Sequence, residues 1–179
     1  ILYSAFTHRC GLKPAEEEYI LMGMAAYGEP KYKDDIYEDF VEQSPFKLKK
    51  NLHRGLSDWH PEADVMDLAA SIQSVIEECL AALWHKASKY ADRYNDFGYT
   101  GKNLVYAGGV ALNCVANTKL QRLYPSLWIM PNPGDCGGSL GAAALAYGKK
   151  VNWSHPYLGR TIEGSTSVSY KKMTMPTMD

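Results

Sequence analysis

Three stretches of the chain combine residue types and spacings that could do chemistry. The first reads Val105-Tyr106-Ala107-Gly108-Gly109-Val110-Ala111-Leu112-Asn113. An apolar run delivers two glycines to the mouth of a helical pattern. Glycine lets a ligand lie against backbone N–H groups, and a helix N-terminus favours an anion. Asn113 falls one turn into that pattern, where its amide could bond ligand hydroxyls or phosphate oxygens. The same residues also suit a tight strand-to-helix turn with no ligand, and they match neither a Walker loop nor Gly-x-Gly-x-x-Gly. The second stretch, residues 131–138, reads Pro-Asn-Pro-Gly-Asp-Cys-Gly-Gly. Its Asp135 is placed either to cap the following helix or to bind a metal that in turn holds phosphates. Cys136 shares that helix start, but no histidine lies in residues 110–130 to serve as its base. The third stretch, residues 18–30, carries Gly23 and Gly28. These could admit the flat face of a base or sugar, or simply belong to a core helix with a Met-lined face.

The elements that must position these residues follow from periodicity. Residues 2–10 have helical spacing and Gly11 closes them. Lys13-Pro14 is expected to open a second helix, with Glu16, Glu17 and Glu18 at its positive end. Residues 33–42 predict a third helix, and residues 46–52 a strand. The clearest helix is 64–90. Leu68, Ser71, Ile72, Val75, Ile76, Cys79, Leu80, Leu83 and Trp84 form its apolar seam, with Gln73, Glu77, Glu78 and Lys86 on its polar face. Residues 94–102 read as a connector. Then come a buried strand (103–107), a helix (110–123), a second buried strand (127–130) and an Ala/Gly-rich helix (137–147). This strand–helix alternation predicts an α/β layer with parallel neighbours, whose carboxyl edge is where open sheets bind ligands.

Composition narrows the function classes. The 179 residues hold 19 Lys+Arg and 20 Asp+Glu, a net charge of −1. Nothing in that balance supports an electrostatic nucleic-acid binder or a polybasic membrane protein. No apolar run approaches the ~18 residues of a membrane span. The scattered cysteines (Cys10, Cys79, Cys114, Cys136) suit reduced thiols and a cytoplasmic setting. The five histidines share no metal-ligand spacing.

Four segments together resemble one family, the O-carbamoyltransferases typified by nodulation protein U and the antibiotic carbamoyltransferases. Tyr19–Tyr32 is similar to its E-Y-K-x-M-G-L-A-x-Y-G-x-P segment. GGVALNCVAN, from Gly108 to Asn117, is similar to its most specific motif, and residues 131–144 to P-x-x-G-D-x-G-x-x-x-G-A-A. His155-Pro156-Tyr157-Leu158-Gly159 resembles the junction that follows. The segments occur in the family's order over roughly residues 1–160.

The resemblance implies an α/β fold: half of an actin/sugar-kinase-like (ribonuclease H-like) ATPase domain with a helical N-terminal part. It implies a carbamoyltransferase that uses ATP or carbamoyl-adenylate, derived from carbamoyl phosphate, to carbamoylate an acceptor hydroxyl. Gly108, Gly109, Val110 and Asn113 match the nucleotide-binding loop, and Gly23 and Gly28 the other pocket wall. Asp135 matches a metal-binding aspartate for an iron-type divalent ion, or for Mn or Mg. By the resemblance, the family's histidine pair for that ion, in an N-terminal half, and its YrdC-like domain are expected to lie outside these 179 residues. A partner chain or further polypeptide would supply both. Ile20 stands where the family commonly has Lys. The expected organisation is a helical segment with a pocket wall (1–63), a nucleotide- and metal-binding core (64–151) and a linker (152–179). Exposed apolar surface at the missing half would favour self-association into a homo-oligomer. A non-enzymatic nucleotide- or partner-binding module of the same fold, or a relative of the tRNA threonylcarbamoyl transferases, are the alternatives.

Overall fold

The structure, a computed structural model, describes residues 1–43, 46–56, 58–93 and 103–152. The expected connector at 94–102, the junction at 155–159 and nearly all of the expected linker lie outside the described residues.

Helix α4, Val65–Asp92, is the axis of the molecule. Asp64 caps it by accepting the Met66 N–H at 2.7 Å. The seam read from the sequence largely faces inward, although Leu83 is exposed. The helix is also more enclosed than one seam implies. Asp67, Leu68, Ala69, Ala70, Ser71, Ile72 and Gln73 are buried in succession, so the stretch from Asp67 to Gln73 has no solvent face. Small side chains at Ala69, Ala70 and Ser71 let neighbours approach from every side. Gln73 and Glu77, expected on the polar face, are only 5% and 9% exposed.

The first half of α4 is packed by three helices: α1 (Leu2–Arg9), α2 (Glu18–Met24) and α3 (Lys33–Phe40). Phe6, Leu21, Ile36, Leu68 and Ile72 are fully enclosed at their centre. Each such side chain contributes about 1.5–3 kcal/mol of burial. Trp59 closes the cluster, edge-on to Phe6 at 5.4 Å and to Phe40 at 5.3 Å. It is fixed there because its indole N–H donates to Asp39 Oδ2 at 2.7 Å, while Arg9 donates to its carbonyl at 2.8 Å.

Two helix boundaries differ from the sequence reading. The second helix begins at Glu18 rather than at Lys13-Pro14. Ala15 is in the left-handed region (φ 64°), and two of the glutamates fold back onto the preceding chain. Glu17 accepts the Lys13 N–H and Glu18 the Ala15 N–H, both at 2.7 Å. A single turn of 3₁₀-helix, Ala25–Tyr27, follows α2. The third helix stops at Phe40, where Val41 turns extended. Strand β1 (Val41–Gln43) then pairs antiparallel with β2 (Phe46–Leu48).

The second half of α4 carries a strand–helix–strand unit. Strand β3 (Asn103–Tyr106) and β4 (Ser126–Ile129) are parallel, with Val105 opposite Trp128. Between them come a 3₁₀ turn, Gly109–Leu112, and α5, Cys114–Leu123. Helix α6 (Gly137–Tyr147) follows β4. The parallel order agrees with the sequence, but the strands are not fully buried as expected. Leu104, Tyr106 and Leu127 pack towards Trp84 and Leu120, whereas Val105 and Trp128 on the other face are 70% and 53% exposed. Parallel sheets are normally covered on both sides. Helix α6 is apolar around its circumference and largely exposed, with Leu145 at 84%. No helix among the described residues is long and apolar enough to cross a membrane.

Candidate functional site

The two strand-to-helix corners meet. Gly108, after β3, donates its N–H to the carbonyl of Pro133, after β4, at 2.7 Å. Gly108 has φ 99° and ψ 164°, a conformation essentially confined to glycine. The next two N–H groups, of Gly109 and Val110, open the 3₁₀ turn and take no backbone acceptor among the described residues. The side chains of Val110 and Leu112 are exposed beside them.

Asn113 is placed differently from the sequence expectation. It is not a turn inside a helix but the residue between the 3₁₀ turn and α5, and it caps α5. Its Oδ1 accepts the Ala116 N–H at 3.0 Å. The same side chain pairs with Gln73 of α4: Asn113 Nδ2 donates to Gln73 Oε1 at 2.9 Å, and Gln73 Nε2 donates back to Asn113 Oδ1 at 3.1 Å. Gln73 Nε2 also donates to Glu77 Oε1 at 2.8 Å, and Tyr3 O–H donates to Gln73 Oε1 at 2.8 Å. Glu77 in turn forms an ion pair with Lys119 of α5. Burial pushes the Tyr3 hydroxyl well above its usual pKa, with the Glu77 charge adding to the shift, so Tyr3 stays protonated. Sequence reasoning missed this group. Its available signal was the absence of charge from residue 68 to 76, which leaves α4 no solvent face there.

Asp135 does not cap α6. The N-cap position belongs to Cys136, whose side chain makes no capping bond, and Ser139 Oγ donates back to the Cys136 carbonyl at 2.8 Å. The Asp135 backbone carbonyl accepts the Gly138 N–H at 3.0 Å, while its exposed carboxylate has no hydrogen-bond or ion-pair partner among the described residues. Of the two sequence readings, capping is therefore removed. No group of three or more His, Cys, Asp or Glu gathers among the described residues. Asp135 could offer a divalent ion one oxygen ligand, and the described residues do not complete a site around it.

The third stretch divides. Met22 on α2 lies against Cys114 at the start of α5, Sδ to Sγ 3.9 Å, so the helix carrying Gly23 does flank the first corner. A Cβ on Gly23 would meet nothing within 4 Å. Gly28 is not open. A Cβ there would sit 2.0 Å from the Met66 carbonyl oxygen, because the loop after α2 lies on the first turn of α4. The expected opening for a flat ligand at Gly28 is filled by helix backbone.

A shallow cleft of about 270 Å³ runs beside the corner, lined by Cys114, Asn117, Thr118 and Gln121 with Leu127 and Ile129. Asn117 donates to the Ala111 carbonyl at 2.7 Å, and its buried Oδ1 has no partner among the described residues. A larger cleft of about 320 Å³ opens between α1 and the loop at 52–55 and shares none of these residues.

The carbamoyltransferase N-terminus family matches residues 35–144, which include α4, both corners and most of α6. The chain belongs to this family. Among curated relatives, the uncharacterized protein sll1178 of Synechocystis sp. is 39% identical over 168 residues, 80% of this chain and 26% of that protein. The nodulation protein NolNO of Sinorhizobium fredii is 29% identical over 144 residues, 72% of this chain and 20% of its own length. The uncharacterized protein MJ1051 of Methanocaldococcus jannaschii is 29% identical over 179 residues, 90% of this chain and 32% of that one. The carbamoyltransferase region described here thus spans between a fifth and a third of the length of these relatives.

Proposed function

We propose that the chain forms the nucleotide-holding part of an O-carbamoyltransferase, in which carbamoyl-adenylate is presented to an acceptor hydroxyl. The observation that carries this reading is the 2.7 Å bond between Gly108 and Pro133, which joins the two corners of a parallel strand pair at its carboxyl edge. Gly109 and Val110 contribute N–H groups suited to phosphate oxygens, with Asn113 alongside. Transfer from a mixed carbamic–phosphoric anhydride joins the acceptor oxygen to the carbamoyl carbon. It breaks that carbon's bond to the phosphate oxygen and releases AMP and the hydroxyl proton. The substrate is already activated, so positioning and charge neutralisation are the protein's main work. A divalent ion of the iron, manganese or magnesium type would take Asp135 as one ligand and its remaining ligands from other polypeptide.

The bare outer face of the strand pair and the uncovered α6 support an actin/sugar-kinase-like whole, of which this is one half. They suit a further domain segment, a YrdC-like partner or a second copy as the cover.

Titration calorimetry of the purified chain with ATP and Mn²⁺, comparing wild type with Asp135→Ala, tests this reading. The expected result is ATP binding whose metal-dependent component falls at least tenfold in the variant. Absence of nucleotide binding by the wild type, or identical metal dependence in both proteins, overturns it.

A further inference from the structure

The Gln73–Asn113 pair permits a complete atomic accounting. A primary amide offers two N–H donors and two acceptor lone pairs. Gln73 uses all four: Oε1 accepts from Tyr3 and Asn113, and Nε2 donates to Glu77 and Asn113. Chemistry also fixes its orientation. A carboxylate in an ion pair with Lys119 can only accept, so Gln73 must turn Nε2 towards Glu77. That leaves Oε1 for the Tyr3 hydroxyl, which burial keeps protonated. Asn113 is fixed from a second direction as well, because the Ala116 N–H demands an oxygen. Turning either amide over would set N–H against N–H and oxygen against oxygen. A buried polar group left unpaired costs about 1–3 kcal/mol. The outcome is an asparagine with its oxygen and one N–H committed and its second N–H without a partner among the described residues.

We infer that Gln73 and Glu77 are positioning residues, which hold Asn113 in one rotamer with a single amide N–H reserved for an acceptor oxygen of the bound ligand. This rests on the reading of the corner as a nucleotide site, and it names the kind of contact that Asn113 makes there. The polarity originates at the Glu77–Lys119 ion pair on the flanks of α4 and α5 and passes through Gln73 to the corner. Neither Gln73 nor Glu77 touches the ligand.

Two variants separate positioning from a merely structural bond. Gln73→Glu sets a second carboxylate oxygen against both Asn113 Oδ1 and Glu77. The double exchange Q73E/E77Q restores a donor–acceptor bond between positions 73 and 77, yet still presents two oxygens to Asn113. Amide hydrogen exchange by NMR is read at Ala116 N–H and at the two Asn113 Nδ2 protons, together with ATP affinity. In the wild type, one Asn113 proton should exchange at least tenfold more slowly than the other. Both variants should lose that difference and bind ATP at least tenfold more weakly. Equal exchange of the two protons in the wild type overturns the inference even if neither variant folds. Recovery of wild-type exchange and affinity by the double exchange also overturns it, because a structural bond alone would then suffice. Failure of the wild type to bind ATP removes the nucleotide reading, while the exchange pattern still decides whether Asn113 is positioned.

Discussion

Asp67 holds the ammonium of Lys31 at 2.6 Å with one carboxylate oxygen and the Glu29 N–H at 2.8 Å with the other. These bonds fasten the loop after α2 to the first turn of α4, and one turn further on Ser71 accepts the Tyr32 N–H at 3.0 Å. The Glu29 N–H first, and then Lys31, hold the Asp67 carboxyl below its ordinary range. A carboxyl whose pKa is lowered by folding binds protons more readily in the unfolded chain. Its stabilisation is therefore complete above the unfolded pKa near 4 and is lost as pH falls through the lower folded value. Asp67→Asn should lower the melting temperature at pH 7, and the gap from wild type should close below about pH 4. Calorimetric melts across pH 2–7 check this, and a gap independent of pH would contradict it.

The glycines of the first corner should differ sharply. Gly108 needs its φ of 99°, whereas an added Cβ would meet nothing within 4 Å. Gly108→Ala should cost about 1–3 kcal/mol through backbone strain alone. Gly109 has open space and no positive φ, so Gly109→Ala should change stability by less than about 0.5 kcal/mol. Urea unfolding of the two variants compares them directly. Equal losses would mean that the corner is not held in the conformation described.

The four thiols should label in two classes. Cys114 and Cys136 are exposed, whereas Cys10 and Cys79 are partly enclosed. Burial pushes the Cys10 thiol up to about 11 and raises Cys79 as well. The thiolate is the reactive form, so at pH 8 iodoacetamide should modify Cys114 and Cys136 at least tenfold faster than the other two. Peptide mass spectrometry of timed samples reads this out. Early modification of Cys10 would place α1 elsewhere.

Much of the fold was legible because its signals are local. The period of α4, the glycines after β3 and the Pro131-Asn132-Pro133-Gly134 break after β4 all lie within a few residues of what they determine. The parallel order of β3 and β4 followed from strand–helix alternation, while the register that sets Val105 opposite Trp128 did not. What escaped depended on distant partners. Glu17 and Glu18 suit a helix start, yet they bond back to Lys13 and Ala15 and delay it. Gln73 looks like a surface residue until Asn113, 40 residues later, returns to meet it. Asp135 illustrates the converse: its sequence position suits a cap, and only coordinates show that its side chain bonds nothing there.

Helix α4 is 28 residues long, about 42 Å at 1.5 Å per residue. The core around Phe6 grips one end, the smaller core around Trp84 and Leu120 grips the other, and Ile76 touches both. The helix is thus a shared spine, and the strand pair and α5 that carry the corners pack on its more thinly supported end, with Asn113 tied back to Gln73. Thermal fluctuations should loosen the corners before they disturb the aromatic cluster at Trp59. A ligand that bridges the corners would therefore stiffen the less secure end of the molecule, and part of its binding energy would be spent as folding energy.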